Sequence, residues 1–256
     1  MNETIFDVHA HYDDPKFDDD RNALLLSLAE KGVEFVLNAG TDIATSQTTM
    51  QYCDTYDFMY GAVGIHPENA DNLPKDYLET METMTQHPKI VAIGEIGLDY
   101  YWDEVPKSVQ KEVFIQQILL ARKLDLPVII HDRDAHGDTM DILREYKPKG
   151  LMHCFSGSVE MCKEIVRLGM SVSLGGVVTF KNARHSVEVA KYIPLDRLML
   201  ETDAPYLSPV PFRGKRCDSS MIRYTATKIA EIKEISVEEL LKITKENALK
   251  MFGIPK

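Results

Sequence analysis

The feature that most constrains the fold of this chain is the recurrence of eight short apolar runs, each followed by a longer amphipathic stretch. Short continuous runs rich in Val and Ile are typical of strands buried on both faces of a parallel sheet. The clearest helical pattern, Lys107–Leu124, repeats apolar positions at spacings of three and four, and Pro127 favours an end to that helix. The predicted strands are Thr4–His9, Val33–Asn38, Phe58–Gly64, Ile90–Gly94, Val128–His131, Gly150–Cys154, Met170–Leu174 and Leu198–Thr202.

This alternation of strand and helix patterns predicts the architecture. Eight such units in 256 residues favour an α/β protein with a (β/α)8 TIM barrel, and residues 1–256 are interpreted as a single domain of that kind. The competing architecture is a doubly wound open sheet, which binds its ligand at one switch point through two or three loops. The positions of the polar residues distinguish the two.

Composition narrows the class of protein. The chain has 29 basic and 40 acidic residues, for a formal net charge of −11, which argues against broad adhesion to nucleic acid or anionic lipid but leaves room for a local basic patch. No apolar run approaches the roughly 20 residues that span a bilayer, and the first residues lack the pattern of a secretory signal. The four cysteines form no C-x-x-C pair, so we expect a reduced, cytoplasmic protein.

Six candidate metal ligands lie at the C-terminal ends of predicted strands, and Glu95 is expected to end the fourth strand. In a barrel the carboxyl ends of the strands converge on one face, where barrel enzymes keep their active sites, whereas an open sheet would separate the first strand from the eighth. The first two ligands also lie two residues apart on one strand, so their imidazoles point to the same side. The six residues are His9, His11, Glu95, His131, His153 and Asp203.

Four imidazoles and two carboxylates exceed what one catalytic zinc ion uses. A carboxylate can bridge two cations, so we expect two divalent metals, with Glu95 as the bridge. His9, His11 and Asp203 are assigned to one metal, and His131 with His153 to the other. The ligand types suit Mg, Mn, Zn or Co, and the sequence does not choose between them.

A lone histidine near a strand end is more often an ordinary hydrogen-bonded loop residue than a ligand. His87, His136 and His185 are interpreted in that way, whereas five of the eight histidines lie at predicted strand ends, which favours a metal site. Motifs for a dinucleotide loop, a P-loop and a serine nucleophile are incomplete. Cys154, beside His153, is interpreted as a small buried apolar residue rather than a ligand.

Five motifs occur in order along the chain: Phe6–His11, Gly94–Asp99, Val128–His131, His153–Gly157 and Glu201–Leu207. Together they resemble the signatures of TatD-type metal-dependent deoxyribonucleases, barrel members of the amidohydrolase superfamily. The resemblance runs from residue 4 to about residue 253 and implies the fold, a di-metal site and a nuclease that removes nucleotides from DNA 3′ ends. One departure is Cys217-Asp218-Ser219 after Arg-Gly-Lys-Arg, where many relatives have Asn-x-Pro; Asp218 or Ser219 can still cap the next helix.

Phosphodiester hydrolysis needs an activated water and neutralisation of the phosphate. Asp203 is assigned as general base, and Glu95 joins it as a catalytic residue through its bridging position. His66 is interpreted as a group that contacts substrate or supports the ligands, and the aromatic run Tyr100–Trp102 suits either base stacking or packing at the rim. Residues expected to contact the substrate phosphates are Arg133, Lys181, Arg213 and Lys215, with Arg216 beside them in a loop without acids.

The sequence leaves alternative functions open. Hydrolysis of an amide, ester or lactone is the main alternative, because the same activated water attacks a carbonyl equally well, although the basic loop suits a phosphate better. A non-enzymatic scaffold is disfavoured by the complete ligand set. The expected partner is DNA, as single-stranded 3′ ends, with no membrane. Polarity of digestion, preference for DNA over RNA and oligomeric state stay open, with a monomer as one option.

Overall fold

The computed structural model describes residues 3–102 and 104–255 of the chain. Eight strands occur in this described part, and every one overlaps a strand predicted from the sequence. The strands are β1 Ile5–Ala10, β2 Val33–Ala39, β3 Met59–Val63, β4 Ile90–Asp99, β5 Val128–Arg133, β6 Gly150–Met152, β7 Ser171–Leu174 and β8 Leu198–Leu200. The α-helices of the same residues are α1 Arg21–Ser27, α2 Ile43–Thr55, α3 Tyr77–Met84, α4 Lys107–Leu124, α5 His136–Tyr146, α6 Val159–Arg167, α7 Arg184–Tyr192, α8 Ile222–Lys233 and α9 Val237–Phe252.

The strands follow one another through a parallel sheet in the order of the sequence. Ala10, at the end of β1, also forms a parallel bridge to Ala204, just beyond β8, so the first strand neighbours the last. An open doubly wound sheet changes strand order at a switch point and keeps its edge strands apart. The predicted fold class, a (β/α)8 TIM barrel, is therefore confirmed, and the open-sheet alternative is excluded.

Helix α4 has the bounds that its apolar periodicity predicted, Lys107–Leu124. It ends at Asp125, whose left-handed backbone (φ 58°) turns the chain towards Pro127. Its buried face includes Gln117, which accepts a hydrogen bond from the backbone N–H of Ile65 (2.7 Å) and donates one to the same residue's carbonyl (3.1 Å). A buried amide that satisfies both backbone groups stabilises the chain just beyond β3 against this helix.

Strand β4 is longer than predicted and carries Glu95 in its interior, so the prediction that Glu95 ends the fourth strand is wrong. The physical reason lies at Gly97, where β4 and β5 approach so closely that a Cβ atom would lie 1.9 Å from the carbonyl oxygen of His131. Gly97 also has a φ of +146°, which favours glycine. Without a side chain there, pairing continues to Asp99 and Arg133, two residues past His131.

Contacts within the chain define two compact units. The first unit comprises the chain up to Asn38, Cys154–Val166 and the chain from Ser171 onwards; the second comprises Ala39–His153 and Arg167–Met170. The single-domain interpretation of residues 1–256 stays a prediction. Among the described residues, no helix has the length and apolarity needed to cross a bilayer.

Candidate metal centre

The first ligand group lies in the first unit and joins β1 to the segment after β8. The Nε2 atoms of His9 and His11 are 3.0 Å apart, as the i, i+2 spacing predicted. Oδ1 of Asp203 lies 3.8 Å from the first of these nitrogens and 3.5 Å from the second. His9 is fully buried, while the Asp203 side chain keeps 18% of its surface exposed. Two imidazole nitrogens and a carboxylate oxygen therefore converge on one point that solvent reaches from the side of Asp203.

The position of Asp203 is set by its backbone. Its N–H donates a hydrogen bond to the carbonyl oxygen of His9 (3.0 Å), which ties the two ligands directly together. Its φ of +62° lies in the left-handed region, which Asp adopts more readily than most residues. Aspartate thus supplies a ligand oxygen and also adopts this left-handed backbone more readily than most residues.

The second ligand group lies in the second unit and is tighter. Oε1 of Glu95 is 2.9 Å from Nδ1 of His131 and 2.8 Å from Nε2 of His153, and these two nitrogens are 3.3 Å apart. All three residues were predicted as ligands, with Glu95 as the bridge and the histidines on one metal. One carboxylate oxygen and two imidazole nitrogens in mutual contact form a donor set that divalent cations favour.

His131 is held between two carboxylates. Its Nδ1 faces Glu95, and its Nε2 lies 2.9 Å from Oδ2 of Asp99. Burial lowers the pKa of His131, but the hydrogen bonds to Asp99 and Glu95 outweigh burial and raise it to about 10. A carboxylate behind a ligating histidine fixes the tautomer and makes the ring a stronger ligand. Sequence reasoning missed this role of Asp99, although the residue stands in the Gly94–Asp99 motif.

His66 lies beside this second group. Its Nε2 is 3.6 Å from Oε1 of Glu95, and its ring centroid is 4.4 Å from that of His131. Its Nδ1 accepts a hydrogen bond from the backbone N–H of Glu68 (3.3 Å), which places the proton of the neutral ring on Nε2. A protonated Nε2 is a hydrogen-bond donor and not a ligand. His66 also forms, with Asp99 and His131, a third group of donor atoms within 4.8 Å of one another, so its role as a substrate-contacting or supporting residue stays a prediction.

Asp7 is a buried carboxylate that the sequence reasoning did not single out. It accepts hydrogen bonds from the backbone N–H and the hydroxyl of Thr202 (3.0 and 2.6 Å) and from the hydroxyl of Ser219 (2.7 Å). Burial raises the pKa of Asp7 to about 6, although these hydrogen bonds act in the opposite direction. Because Asp7 joins β1 to the segment after β8, it supports the chain on which His9 and Asp203 lie.

The Cys217-Asp218-Ser219 segment has a structural role. Asp218 accepts a hydrogen bond from the N–H of Ser220 (2.9 Å) and caps a short 3-10 turn, Ser219–Met221, directly before α8. Helix α8 itself begins after Met221 without a side-chain cap, so the capping prediction is correct for the turn and wrong for the helix. Ser219 is fully buried, and its hydroxyl donates a hydrogen bond to Asp7.

Cys154 is only half-buried, with a φ of +43°, so its interpretation as a buried apolar residue is wrong. Its N–H donates to Oε1 of Glu201 (2.6 Å), a carboxylate that the sequence reasoning also missed.

The predicted phosphate-binding residues of the first unit differ in their surroundings. Lys181, Arg213 and Lys215 are exposed, and the guanidinium of Arg213 lies 4.4 Å from the ring centroid of Phe180. Arg216 instead forms two hydrogen bonds of 2.7 Å to the carboxylate oxygens of Asp20. Its charge is thus matched within the unit, and Arg216 does not belong with the exposed cations of that loop.

Arg133, the predicted phosphate-binding residue of the second unit, ends β5. Its guanidinium lies 3.7 Å from the ring centroid of Tyr101 and 5.7 Å from that of Trp102. Both rings are exposed, by 54% and 46% respectively. The cation at the end of β5 therefore lies against two aromatic rings that follow β4.

The chemistry of the donor sets fits divalent metal ions. Each group combines two imidazole nitrogens with a carboxylate oxygen, and in the first group all three ligand atoms lie within 4.8 Å of one another. Imidazole and carboxylate donors suit Zn, Co and Mn, and carboxylate oxygen suits Mg as well. The class that fold and donors define is a (β/α)8 barrel with candidate sites for divalent metal ions.

The chain belongs to the TatD-related DNase family, whose sequence profile matches residues 6–253. It is 45% identical over 253 residues to the uncharacterized metal-dependent hydrolase YabD of Bacillus subtilis, covering 98% of this chain and 99% of that protein. It is 38% identical over 256 residues to the uncharacterized metal-dependent hydrolase YcfH of Escherichia coli K12, covering 98% and 96%. The resemblance predicted from the five motifs is confirmed, and the protein is a metal-dependent hydrolase.

Solved structures agree with this assignment. The crystal structure of the TatD homologue YJJV from Escherichia coli K12 superposes with a TM-score of 0.92 and 28% identity, covering 98% of both chains. The crystal structure of a TatD family hydrolase from Entamoeba histolytica superposes with a TM-score of 0.89 and 23% identity, which supports the fold alone. These two similarities extend over nearly the whole chain.

Proposed function

We propose that this protein is a deoxyribonuclease that uses two divalent cations to remove nucleotides from the 3′ ends of DNA. The observation that carries the proposal is the pair of compact ligand groups, each with two imidazoles and one carboxylate, in a chain of the TatD-related DNase family. Two-metal sites are a common solution for phosphodiester hydrolysis, because they stabilise both the attacking and the leaving oxygen.

Each ligand group is proposed to hold one cation: His9, His11 and Asp203 the first, and Glu95, His131 and His153 the second. Bound divalent cations would neutralise phosphate charge and lower the pKa of water towards neutrality. That Glu95 also bridges to the first cation stays a prediction of the sequence. Asp99 would hold His131 with its Nδ1 directed at Glu95, through the bond to Nε2.

Asp203 is proposed to accept the proton of the attacking water. Its Oδ1 faces the two histidines, so we assign proton acceptance to Oδ2. The partial exposure of its side chain, 18%, supports this role, since the general base has to meet water and substrate. The backbone hydrogen bond to His9 keeps the carboxylate in register with the ligands during the reaction.

Substrate phosphates are proposed to bind the exposed cations Arg133, Lys181, Arg213 and Lys215, and His66 is proposed to donate from Nε2 to a phosphate oxygen. These assignments rest on charge and exposure, and on the preference of barrels for phosphate binding in their last loops. The DNA partner and the cytoplasmic location stay predictions.

The experiment is a hydrolysis assay on single-stranded DNA labelled at either end, with and without a chelator, beside a chromogenic carboxylic ester. Exonuclease action from the 3′ end releases a 3′ label as mononucleotide at once and shortens 5′-labelled DNA in single steps, and the chelator abolishes both. Release of the 5′ label first would reverse the proposed polarity. Hydrolysis of the ester with intact DNA would replace the proposal with the carbonyl-hydrolase alternative.

A further inference from the structure

The segment after β4 presents aromatic rings to solvent in an unusual arrangement. Tyr101 and Trp102 are 54% and 46% exposed, although large aromatic side chains usually bury most of their surface. Their ring centroids are 4.7 Å apart with planes at 90°, so the two rings present differently oriented faces. The guanidinium of Arg133 lies 3.7 Å from the centroid of Tyr101 and braces that ring.

This aromatic platform, defined as Tyr101, Trp102 and Arg133, is fixed to the second ligand group through a single carboxylate. Oδ1 of Asp99 accepts hydrogen bonds from the backbone N–H groups of Tyr101 (2.9 Å) and Trp102 (3.3 Å). Oδ2 of the same side chain lies 2.9 Å from Nε2 of His131. The platform therefore begins one side chain away from a candidate metal ligand.

The backbone of the platform is held from the other side by β5. The N–H of Tyr100 donates to the carbonyl of Arg133 (2.8 Å), and Asp99 and Arg133 are partners in the β4–β5 register. Strand pairing thus positions Arg133 and the chain up to Tyr100, directly before the two exposed aromatic residues. Rings whose backbone is already held by hydrogen bonds lose less conformational freedom when a ligand stacks on them.

The geometry points to a base-stacking subsite: the aromatic platform binds an unpaired nucleobase next to the phosphate that is cleaved. This inference rests on the proposed nuclease function and names the part of the substrate that the platform recognises. Aromatic rings stack on every base, and a neighbouring Arg adds charge attraction to the backbone. Bases within a duplex are already stacked on their neighbours, so the platform favours single-stranded ends over paired ones.

Trp102 is the single tryptophan of the chain, so its fluorescence reports on the platform alone. The test titrates the metal-loaded enzyme with a phosphorothioate oligothymidylate, which resists hydrolysis, and with an abasic phosphorothioate of equal length and charge. The thymidylate should quench the fluorescence with saturation, and the abasic oligomer should leave it unchanged. Equal quenching by both oligomers would overturn the inference, because quenching would then report charge alone.

Variants test the same point by anisotropy of labelled oligomers. Trp102→Ala should weaken binding of the thymidylate by roughly 5- to 150-fold, with little effect on the abasic oligomer. Tyr192→Ala is the matched control, since Tyr192 is also an exposed ring (37%) near a cation, with Nζ of Lys163 at 5.3 Å from its centroid, and should change neither affinity. Unchanged thymidylate binding by folded Trp102→Ala would overturn the inference.

Parallel hydrolysis assays separate this inference from the proposed function. If the wild-type enzyme degrades single-stranded DNA while Trp102→Ala binds the thymidylate normally, the stacking subsite is wrong and the nuclease proposal stands. If the wild-type enzyme neither degrades DNA nor binds the thymidylate, both are wrong. Faster hydrolysis of single-stranded than of blunt duplex ends, lost in Trp102→Ala, would support the subsite.

Discussion

Oδ2 of Asp99 lies 2.9 Å from Nε2 of His131, and the opposite ring nitrogen of the same histidine lies 2.9 Å from Oε1 of Glu95. Each ring nitrogen of His131 therefore contacts a carboxylate, and both carboxylates belong to the same strand, β4. With the Nε2–H donated to Asp99, a cation that displaces the proton of Nδ1 would find the lone pair of that nitrogen beside Glu95. Asp99 is in this account a positioning residue, acting through His131.

Asp99→Asn tests that role. An asparagine can accept from the backbone N–H of Tyr101 or from Nε2–H of His131, but its amide nitrogen then faces the other donor, so one of the two contacts is lost. We expect metal affinity to fall by about 10- to 100-fold, the usual effect of removing such a partner. Isothermal titration of metal-stripped protein with Zn²⁺ or Mn²⁺ measures it.

The control for Asp99→Asn is Asp138→Asn, which removes an acidic group that accepts from Tyr100 (2.6 Å) in the same unit and contacts none of the proposed ligands. It should leave metal affinity unchanged. Equal losses in the two variants would assign the effect to general negative charge rather than to the orientation of His131.

Gly97→Ala tests the close approach of β4 and β5. The added Cβ would lie 1.9 Å from the carbonyl oxygen of His131, so β4 and β5 would have to move apart. Alanine would also be strained at the φ of +146° that Gly97 adopts. We expect the free energy of unfolding to fall by about 2–5 kcal/mol. Metal affinity should fall as well, because His131 moves with its carbonyl. Urea denaturation and metal titration measure the two effects.

Gly137→Ala in α5 is the matched control, since nothing lies within 4 Å of its added Cβ. There the free energy of unfolding should stay unchanged or rise by up to about 1 kcal/mol, because alanine favours helix. A Gly97→Ala protein as stable as this control would contradict the proposed reason for the length of β4.

The strand pattern and the ligand spacing were readable from the sequence because each depends on a short-range regularity. Apolar runs of strand length located β1 to β8, and the i, i+2 spacing of His9 and His11 predicted that their rings meet. Glu95 was assigned to the end of its strand because the apolar run stops at Gly94. The extension to Asp99 depends on an interstrand contact at Gly97, which the pattern of one strand does not contain.

The sequence also did not predict the hydrogen-bond and ion-pair partners that lie far apart along the chain. Asp7 pairs with Thr202 and Ser219, Arg216 pairs with Asp20, and each pairing depends on the tertiary fold. A loop that reads as basic in the sequence therefore contains one arginine that is already neutralised. The number of basic residues in a loop does not show which of them form ion pairs with acidic residues elsewhere in the fold.

Salt dependence of DNA binding separates these cations. Arg213→Ala and Lys215→Ala should each lower affinity for single-stranded DNA and reduce the slope of log K against log salt by about 0.7, the value for one lost phosphate contact. Arg216→Ala should change the slope little, because Asp20 holds its guanidinium through two hydrogen bonds. Binding is measured by anisotropy on a hydrolysis-resistant oligomer. A larger effect at Arg216 than at Lys215 would contradict the assignment.

Asp203→Asn tests the general base. Asparagine keeps an oxygen ligand beside His9 and His11 but cannot accept a proton, so much of the metal binding should survive while kcat falls by about 10²- to 10⁴-fold. Hydrolysis of labelled DNA and metal titration are measured on the same sample. Asp196→Asn, at an exposed aspartate, serves as the control and should retain full activity. Near-normal turnover in Asp203→Asn would remove this residue from the chemistry.

The most direct test of the central claim, that the two ligand groups of this hydrolase each hold a cation, is to count bound metal ions by native mass spectrometry. Protein loaded with Zn²⁺ or Mn²⁺ should carry two ions per chain. His153→Ala should carry one, because the group of His9, His11 and Asp203 is intact. A wild-type chain that binds no ion, or only one, would contradict the account.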